Sequence, residues 1–285
     1  MKAGLGKNIL SIDETVRYLR SDPQYADIVH NSYVGKDVHD SAQRFTASAE
    51  FTEVLKLLGK RVSGGVILDL GAGTGIASYA FCRSGASTVY ALEPDPSQEV
   101  GRGAIERLPG GLSIQVIAAC GEAIPLPEEE VHIVYTRQVL HHARDLSALL
   151  KECARVLKPG GIFLACREHV VDNDRQLRKF LRTHPMHQLA GGENAFRLDV
   201  YLNTIHNSGL TINKVLGPYD SIINAFPEVS TMGELEVLPR IRLERRFGRW
   251  GGLASSVPLV NYLVWKWLKR STPGRLYSFL ATKQL

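Results

Sequence analysis

A short run of glycines marks the part of this sequence best suited to holding a small molecule. Val66–Leu70 is an apolar segment typical of a buried parallel strand, and Gly71, Gly73 and Gly75 follow it at alternate positions. Residues 76–81 have the composition of a helix packed on a sheet. Glycines at such a turn let a ligand approach bare backbone, and the helix N-terminus directs unpaired N–H groups toward it. We therefore predict that a nucleotide-like cofactor binds at this turn.

The spacing of the glycines and of the next acid narrows the type of cofactor. A dinucleotide fingerprint requires a third glycine at position 76, where this sequence has Ile76, and the Gly-Lys-Ser/Thr run of a P-loop does not follow. The next predicted strand, residues 87–93, ends in Glu93, which lies 18 positions after Gly75. A carboxylate at the end of a neighbouring strand can accept hydrogen bonds from both ribose hydroxyls of an adenosine. The pattern therefore favours an adenosine-containing cofactor other than a dinucleotide.

Predicted strands and helices continue to alternate as far as residue 170, with motifs in the order of one known family. The motifs are Asp-Leu-Gly-Ala-Gly-Thr-Gly at 69–75, Leu-His-His-Ala-Arg-Asp-Leu at 140–146 and Arg-Val-Leu-Lys-Pro-Gly-Gly at 155–161. On these residues the segment from about 64 to 170 resembles the methyltransferase type 11 family, whose members are class I S-adenosylmethionine (SAM)-dependent methyltransferases. The resemblance implies an α/β fold with a doubly wound, seven-stranded Rossmann-like methyltransferase sheet. It also implies a helical N-terminal lid and an insertion between the last two strands.

The same resemblance implies SAM as the cofactor and assigns residues to it. Asp69 and the glycine turn would hold the methionine part, Glu93 the ribose, and the backbone around Gly121 and Glu122 would border the adenine. Cys120 departs from the family pattern, because an aspartate usually stands there to receive the adenine amino group. The predicted cofactor-binding residues are Asp69, Gly71, Ala72, Gly73, Gly75, Glu93, Pro94, Gly121, Glu122 and Gln138.

The predicted elements divide the chain into four parts. Residues 1–63 form a helical extension, with its clearest helices at 12–20 and 41–59, that serves as a lid over the cofactor. Residues 64–217 form the SAM-binding core, 218–274 a basic aromatic insertion that roofs the acceptor site, and 275–285 the final strand. Within the extension, Arg44 is either a partner for an anionic substrate or the methionine carboxylate, or a solvated helix residue.

Ionisable side chains follow the fourth and fifth predicted strands, at the sheet edge where ligands bind in open α/β folds. Three roles are open for them: a histidine acts as general base on the acceptor, several bind a divalent metal, or they fix loops through backbone carbonyls. We predict catalysis by His142, His169 and Arg137, a structural role for His141, and no metal site. The remaining ionisable residues expected at this edge are Glu168, His184, His187 and Glu193.

The predicted insertion carries the basic character of the protein. Residues 239–275 hold nine Lys/Arg and one acid, Glu244, for a net charge of +8, whereas the whole chain of 285 residues carries +5. All three tryptophans lie in this stretch. Residues 257–270 form an apolar helix with a cationic end, which is either buried against the sheet or a dimer partner, or else a peripheral contact with a membrane surface. A nucleic-acid role is disfavoured, because the Asn/Asp-Pro-Pro-Tyr and Pro-Cys motifs of nucleic-acid methyltransferases are absent from the sequence.

Composition bounds the remaining possibilities. The four cysteines have neither metal-type nor disulfide-type spacing, which favours a reducing, cytoplasmic compartment. Neither a signal peptide nor a membrane-spanning helix is expected. The predicted function is SAM-dependent methylation, by O-methylation, of a polar small-molecule, sugar or glycolipid acceptor. The alternative is a non-catalytic SAM-binding sensor or partner subunit, and a homodimer fits either.

Overall fold

The computed structural model describes residues 9–285. The first eight residues, with the start of the predicted extension and the stretch expected to lack a signal peptide, lie outside this range. The described residues form one mixed sheet with helices on both faces. Its strands are β1 (Val66–Leu70), β2 (Thr88–Leu92), β3 (Ile114–Ile117), β4 (Val131–Arg137), β5 (Leu157–Val171), β6 (Phe196–Arg197), β7 (Leu210–Leu216) and β8 (Arg275–Lys283).

The predicted fold class is confirmed by the strand order, β3-β2-β1-β4-β5-β8-β7. Strands β1 to β5 pair in parallel, while β8 runs antiparallel to both of its neighbours, β5 and β7. One difference from prediction is β6, a two-residue strand that adds an eighth member. Strand β5 spans 15 residues and continues past the end of its pairing with β4, and there Val170 and Val171 pair with Phe196 and Arg197.

Two helical layers enclose the sheet. Successive residues of a strand point to opposite faces, so Ile133 and Tyr135 of β4 lie in one core and Val134 in the other. The helices are α1 (Ile12–Ser21), α2 (Ala26–Asn31), α3 (Val38–Thr46), α4 (Ala49–Leu58), α5 (Ile76–Arg83), α6 (Arg102–Ile105), α7 (Leu146–Val156), α8 (Asp174–Thr183), α9 (Pro185–Leu189), α10 (Leu198–Asn207), α11 (Ile222–Ala225), α12 (Met232–Glu236), α13 (Leu238–Phe247), α14 (Arg249–Ser255) and α15 (Pro258–Leu268).

The helix predicted over 41–59 is two helices, α3 and α4. The break lies at Ser48, whose backbone is extended and whose hydroxyl accepts a hydrogen bond from the amide of Phe51. A serine in this position is a strong N-cap, because it satisfies an amide that has no partner within the helix. The local capping interaction therefore overrides the continuous helical pattern and turns the chain between the two segments.

The N-terminal extension lies on the loop that follows β2. From α1, Arg17 donates to Glu99 at 2.9 Å, and Arg20 also pairs with Glu99. Asp13 accepts hydrogen bonds from the Ser97 hydroxyl and the Glu99 amide. Residues 97–99 lie just beyond Glu93 in the chain. Helix α1 is therefore held over the end of β2, beside the glycine turn.

A buried cluster of charges joins the extension to the sheet and to the later insertion. Glu50 of α4 is fully buried and accepts two hydrogen bonds from Arg137, at 2.7 and 3.1 Å, while the Arg167 Nε lies 4.0 Å away. Arg167 in turn donates to the carbonyls of Ile223 and Phe226, at 2.6 and 2.9 Å. Burial alone would raise the pKa of Glu50, but the two guanidinium groups hold that pKa below its ordinary value.

The insertion between β7 and β8 folds as the helices α11 to α15. In α15 only Leu268 is buried, so the expectation that this helix is buried against the sheet is wrong. Its exposed side chains recur at three- and four-residue intervals and share one face. We call the exposed apolar side chains of α13, α14, α15 and the short α14–α15 connection the insertion face: Phe247, Trp250, Leu253, Val257, Leu259, Tyr262, Leu263 and Trp267.

None of the helices among residues 9–285 combines the length and apolar character needed to cross a membrane.

Replacing Glu50 by Gln should destabilise the fold severely. The change leaves Arg137 and Arg167 buried without a compensating carboxylate, and breaking a buried ion pair costs about 3–5 kcal/mol. Urea denaturation followed by circular dichroism measures the loss. The control is Glu53→Gln on the same helix, which removes the surface pair with Lys56 and should cost less than about 1 kcal/mol. Equal losses in the two variants would contradict the organising role of the cluster.

Candidate active site

The glycine turn after β1 has the backbone that its sequence predicts. Gly73 has a φ of +54°, and the atom nearest to where its Cβ would stand is the Val100 carbonyl oxygen, 3.8 Å away. Gly71 also has a positive φ, and a Cβ there would lie 2.5 Å from the Val139 side chain. Gly71 thus allows the segment after β4 to approach the turn, while Gly73 leaves open space at its surface. A ligand can therefore lie directly against the backbone at Gly73.

Glu93 lies at the mouth of this turn. Its carboxylate accepts hydrogen bonds from the amides of Gly73, at 2.8 Å, and Asp95, at 2.9 Å. Burial raises its pKa in spite of these two bonds. Pro94 follows directly, and the chain there is held by Arg102, which donates to the Glu93 carbonyl at 3.0 Å. The acid is thus positioned next to the bare backbone, as recognition of an adenosine requires.

Asp69 lies beneath the turn. It is buried, and its carboxylate accepts a hydrogen bond from the Ser78 hydroxyl at 2.6 Å. Burial raises the pKa of Asp69 to about 6, although the bond from Ser78 opposes the shift. The side chain therefore ties the end of β1 to α5, on the two sides of the glycine turn. The intervening Ala72 is buried and donates its amide to the Leu92 carbonyl at 3.1 Å.

The predicted adenine loop presents backbone more than side chains. Glu122 turns away to accept hydrogen bonds from the amides of Arg144 and Asp145, at 2.9 and 3.4 Å, just before α7 begins. Gly121 packs closely on Leu149, which would lie 2.9 Å from a Cβ. Cys120 is exposed. At Gly121 and Glu122 the polar groups left without a side-chain partner are backbone amides and carbonyls, and the adenine-bordering role of these two residues stays a prediction.

The catalytic role predicted for Arg137 is not supported by its contacts. Its guanidinium is held by Glu50, and its Nη1 donates to the Gln138 side-chain oxygen at 3.1 Å. Gln138 itself has a φ of +59° and donates its amide to the Cys166 carbonyl at 2.9 Å. Arg44 likewise is paired within the extension, with Asp40 at 2.9 Å. Both arginines are engaged by the protein itself.

Three histidines at the ends of β4 and β5 each donate a hydrogen bond through Nδ1. His141 is buried, with its Nδ1 2.7 Å from Glu168. The His169 Nδ1 lies 2.9 Å from the carbonyl of Gly274, at the end of the insertion, and the His142 Nδ1 lies 3.2 Å from the carbonyl of Gly192. Because carbonyl oxygens only accept, Nδ1 carries the proton in His142 and His169, and Nε2 is left with a lone pair when the ring is neutral.

Glu193 lies at the centre of this group. One of its oxygens is 3.7 Å from the His141 Nε2 and 3.9 Å from the His142 Nε2, and the other is 3.8 Å from the His184 Nδ1. Sequence reasoning placed Glu193 on a loop over this edge but missed its central position. The sequence feature that could have indicated this position is the preceding pair Gly191-Gly192. Both glycines have a positive φ, which turns the chain back toward the histidines.

Three histidines of the cluster, His142, His169 and His184, are held in the neutral state by their surroundings. Burial, together with the neighbouring His141, lowers the pKa of His142 and lowers that of His169 to about 3. Burial also lowers the pKa of His184. Neutral imidazoles can act as bases or as metal ligands, whereas imidazolium ions can do neither. By contrast the His132 Nδ1 accepts a hydrogen bond from the Val66 amide at the opposite end of the sheet, away from the glycine turn.

Comparison with known proteins gives the class. Residues 68–165 match the sequence model of a methyltransferase domain. An ubiquinone biosynthesis O-methyltransferase of Chelativorans sp. (strain BNC1) is 35% identical over 34% of this chain and 37% of its own. A dimethylglycine N-methyltransferase of Parasynechococcus marenigrum (strain WH8102) is 29% identical over 50% and 54%. A geranyl diphosphate C-methyltransferase from Streptomyces coelicolor A3(2), solved with Mg²⁺, geranyl diphosphate and S-adenosyl-L-homocysteine, has a TM-score of 0.56 and 15% identity, covering 94% and 88% of the two chains.

The chain therefore contains a methyltransferase domain of the type 11 family, residues 68–165, of the kind found in class I SAM-dependent methyltransferases. It spans about a third to a half of the length of the curated relatives that it matches. The matched sequence model lies in the cofactor half of the chain. SAM fits the residues present, since Gly73 leaves open space at the turn and Glu93 stands beside it.

Gly73→Ala should weaken SAM binding at least tenfold and leave the chain folded. The new methyl group meets no atom within 3.8 Å, but it occupies the space in which the cofactor would contact the backbone. The control is Gly111→Ala, which imposes a similar positive φ in open space away from the turn. Each change should cost about 1 kcal/mol of stability from backbone strain. Calorimetric titration with SAM should show at least tenfold weaker binding in Gly73→Ala alone, and equal affinities would contradict this geometry.

Asp69→Asn should change how stability depends on pH in the absence of SAM. Because burial raises the pKa of Asp69 from 3.8 to about 6, ionisation disfavours the folded state. The contribution of Asp69 to the free energy of unfolding is therefore fully present below pH 4. It is lost as the pH rises through about 6, and the loss amounts to up to about 3 kcal/mol. Asparagine still accepts the Ser78 hydrogen bond and carries no charge. In urea denaturation the variant should gain stability relative to wild type between pH 4 and 7, whereas the exposed Glu106→Gln control should not.

Proposed function

We propose that this chain transfers the methyl group of SAM to a hydroxyl of a polar acceptor, of the sugar or glycolipid type, at a membrane surface. The observation that carries the proposal is a single juxtaposition. The glycine turn for the donor and the histidine cluster around Glu193 lie at the same edge of the sheet, connected through Val139, which packs on Gly71 and stands two residues before His141.

The cofactor-binding roles follow from the contacts around the turn. Glu93 and Pro94 would hold the ribose, and the backbone at Gly121 and Glu122 would border the adenine. Gln138, which directly follows β4, would line the cofactor site. SAM supplies a methyl group that is already activated by its sulfonium. The chain then has to align the acceptor and exclude water. The residues proposed for the methionine part are Asp69, Gly71, Ala72, Gly73 and Gly75.

His142 is proposed as the general base. Its side chain is 43% exposed, and its Nδ1 is used on the Gly192 carbonyl, which leaves Nε2 free to take a proton. A hydroxyl must lose a proton as it attacks a methyl group, whereas an amine with a free lone pair need not. The base therefore favours O-methylation, the reaction named for the ubiquinone-biosynthesis relative, over the N-methylation named for the dimethylglycine relative. His169 and Arg137 are proposed as residues that position this edge.

The insertion face supports an acceptor in or on a membrane. Its aromatic side chains are largely exposed, with Trp250 at 68% and Tyr262 at 61%. Arg249 stacks over Trp250 and Arg270 over Trp267, with guanidinium-to-ring distances of 5.5 and 4.7 Å. Exposed aromatic rings with adjacent cations suit the headgroup region of an anionic bilayer. Each Lys or Arg near such a surface contributes about 1 kcal/mol of attraction.

The proposal is tested by assaying SAM turnover with bacterial lipid and glycan extracts and by identifying the methylated product. His142→Ala should lower turnover at least about a hundredfold while leaving SAM affinity unchanged, since general bases contribute about 10²–10⁴-fold.

Vesicle sedimentation with phosphatidylserine should retain the wild type, and the double variant Trp250→Ala, Trp267→Ala should bind at least tenfold more weakly. The exposed Val215→Ala serves as the matched control for surface apolar loss.

A non-catalytic role is the second candidate function. It is favoured by the departure at Cys120, which is exposed where the family has an adenine-binding aspartate. SAM binding without any methylated product across the extracts would favour this role. A turnover equal in wild type and His142→Ala would instead contradict the base assignment alone. Binding to neutral and anionic vesicles with equal affinity would contradict the electrostatic part of the membrane contact.

A further inference from the structure

We propose that His141, His169 and Glu193 bind a zinc ion at the sheet edge beside the cofactor turn. One potential ligand atom from each residue lies within 4.8 Å of the other two. Two atoms bound to the same zinc at about 2.0–2.1 Å lie about 3–4 Å apart, so small side-chain movements complete the site. The His141 Nε2 and the Glu193 carboxylate are already 3.7 Å apart.

Both histidines are oriented as metal ligands usually are. His141 directs its Nδ1 to the buried carboxylate of Glu168 at 2.7 Å, and His169 directs its Nδ1 to the Gly274 carbonyl at 2.9 Å. Such contacts fix the tautomer and leave the Nε2 lone pair facing the ion, and they recur behind the histidine ligands of metal proteins. Glu168 is itself fixed by the amides of Val139 and His141, at 3.0 and 3.2 Å.

The polar atoms that face one another here do not satisfy one another's hydrogen-bonding capacity. The Glu193 carboxylate meets imidazole nitrogens of His141 and His142 at 3.7 and 3.9 Å, distances too long for hydrogen bonds. On the other side the His184 Nδ1 is buried, makes no hydrogen bond and lies 3.8 Å from the carboxylate. Lone pairs directed at a carboxylate repel it unless a positive charge lies between them. A metal ion provides this charge and gives the His184 nitrogen a partner.

The donor set selects the class of metal. Two imidazoles and one carboxylate, with His184 as the nearest further nitrogen, suit a borderline ion such as Zn²⁺ rather than Mg²⁺ or Ca²⁺, which prefer oxygen. Three protein ligands are typical of zinc sites that keep a position open for water or substrate. That position would accept an oxygen of the acceptor. This last step rests on the proposed function, whereas the metal site itself does not.

The test uses the full chain, stripped with a chelator and then titrated with Zn²⁺ or Co²⁺ in the absence of SAM and acceptor. We expect one ion per chain by elemental analysis, a Co²⁺ visible spectrum of low-symmetry nitrogen and oxygen coordination, and a rise in melting temperature with Zn²⁺ but not Mg²⁺. Glu193→Gln should weaken binding at least tenfold and remove the thermal shift. The exposed His206→Ala, which removes a histidine outside the cluster, should change neither.

Each of the following results would contradict the proposed metal site. Absence of stoichiometric binding in the wild type would mean that Glu193 and the histidines hold no metal ion. Binding retained by Glu193→Gln, or lost equally in His206→Ala, would mean that surface histidines hold the ion. His141→Ala separates misfolding from ligand loss, because its circular dichroism spectrum reports the fold while Co²⁺ absorption reports the site. Since no methyl transfer is measured, these outcomes stand apart from the success or failure of the proposed activity.

Discussion

The structure depends on one buried carboxylate, that of Glu50. Glu50 comes from the N-terminal extension, yet its partners are Arg137 at the end of β4 and Arg167 within β5. Since a buried charge is tolerated only when it is compensated, the helices of the extension must dock where the two guanidinium groups are. Arg167 then carries the constraint onward to the carbonyls of Ile223 and Phe226. Three parts of the chain that are far apart in sequence are fixed together around a single negative charge.

Two residues next to this cluster have backbone conformations that residues other than glycine rarely adopt. Gln138 and Arg167 have φ values of +59° and +63°, and neither is glycine. Such strain persists only where the surroundings over-determine it, and it concentrates at functional sites. Here it breaks the pairing of β5 with β8 between Ala165 and Glu168. Glu168 can then turn to His141, so the ion-pair cluster on one side and the histidine cluster on the other share the same irregular backbone.

Much of the cofactor half could be predicted from sequence, because its signals are local. A strand, a glycine turn and an acid at the next strand end lie within about 30 residues, and their geometry is set by backbone sterics. The histidine cluster was harder, because Glu193 reaches His141 across 52 positions through a loop without periodic pattern. The burial of helix α15 was predicted wrongly for a different reason. Its nearly continuous apolar composition favoured burial, but composition does not reveal that its neighbours α13 and α14 leave that face uncovered.

The position of β8 has a consequence for the order in which the molecule is completed. This strand is the last in sequence, yet it lies inside the sheet, between β5 and β7. A ribosome delivers the chain from its N-terminus, so β1 to β5 and the cofactor turn emerge long before their final neighbour. Until β8 arrives, β5 has an open edge and His169 lacks the Gly274 carbonyl that orients it. The nascent chain can therefore assemble the glycine turn first, while the histidine cluster is completed only after β8 has been synthesised.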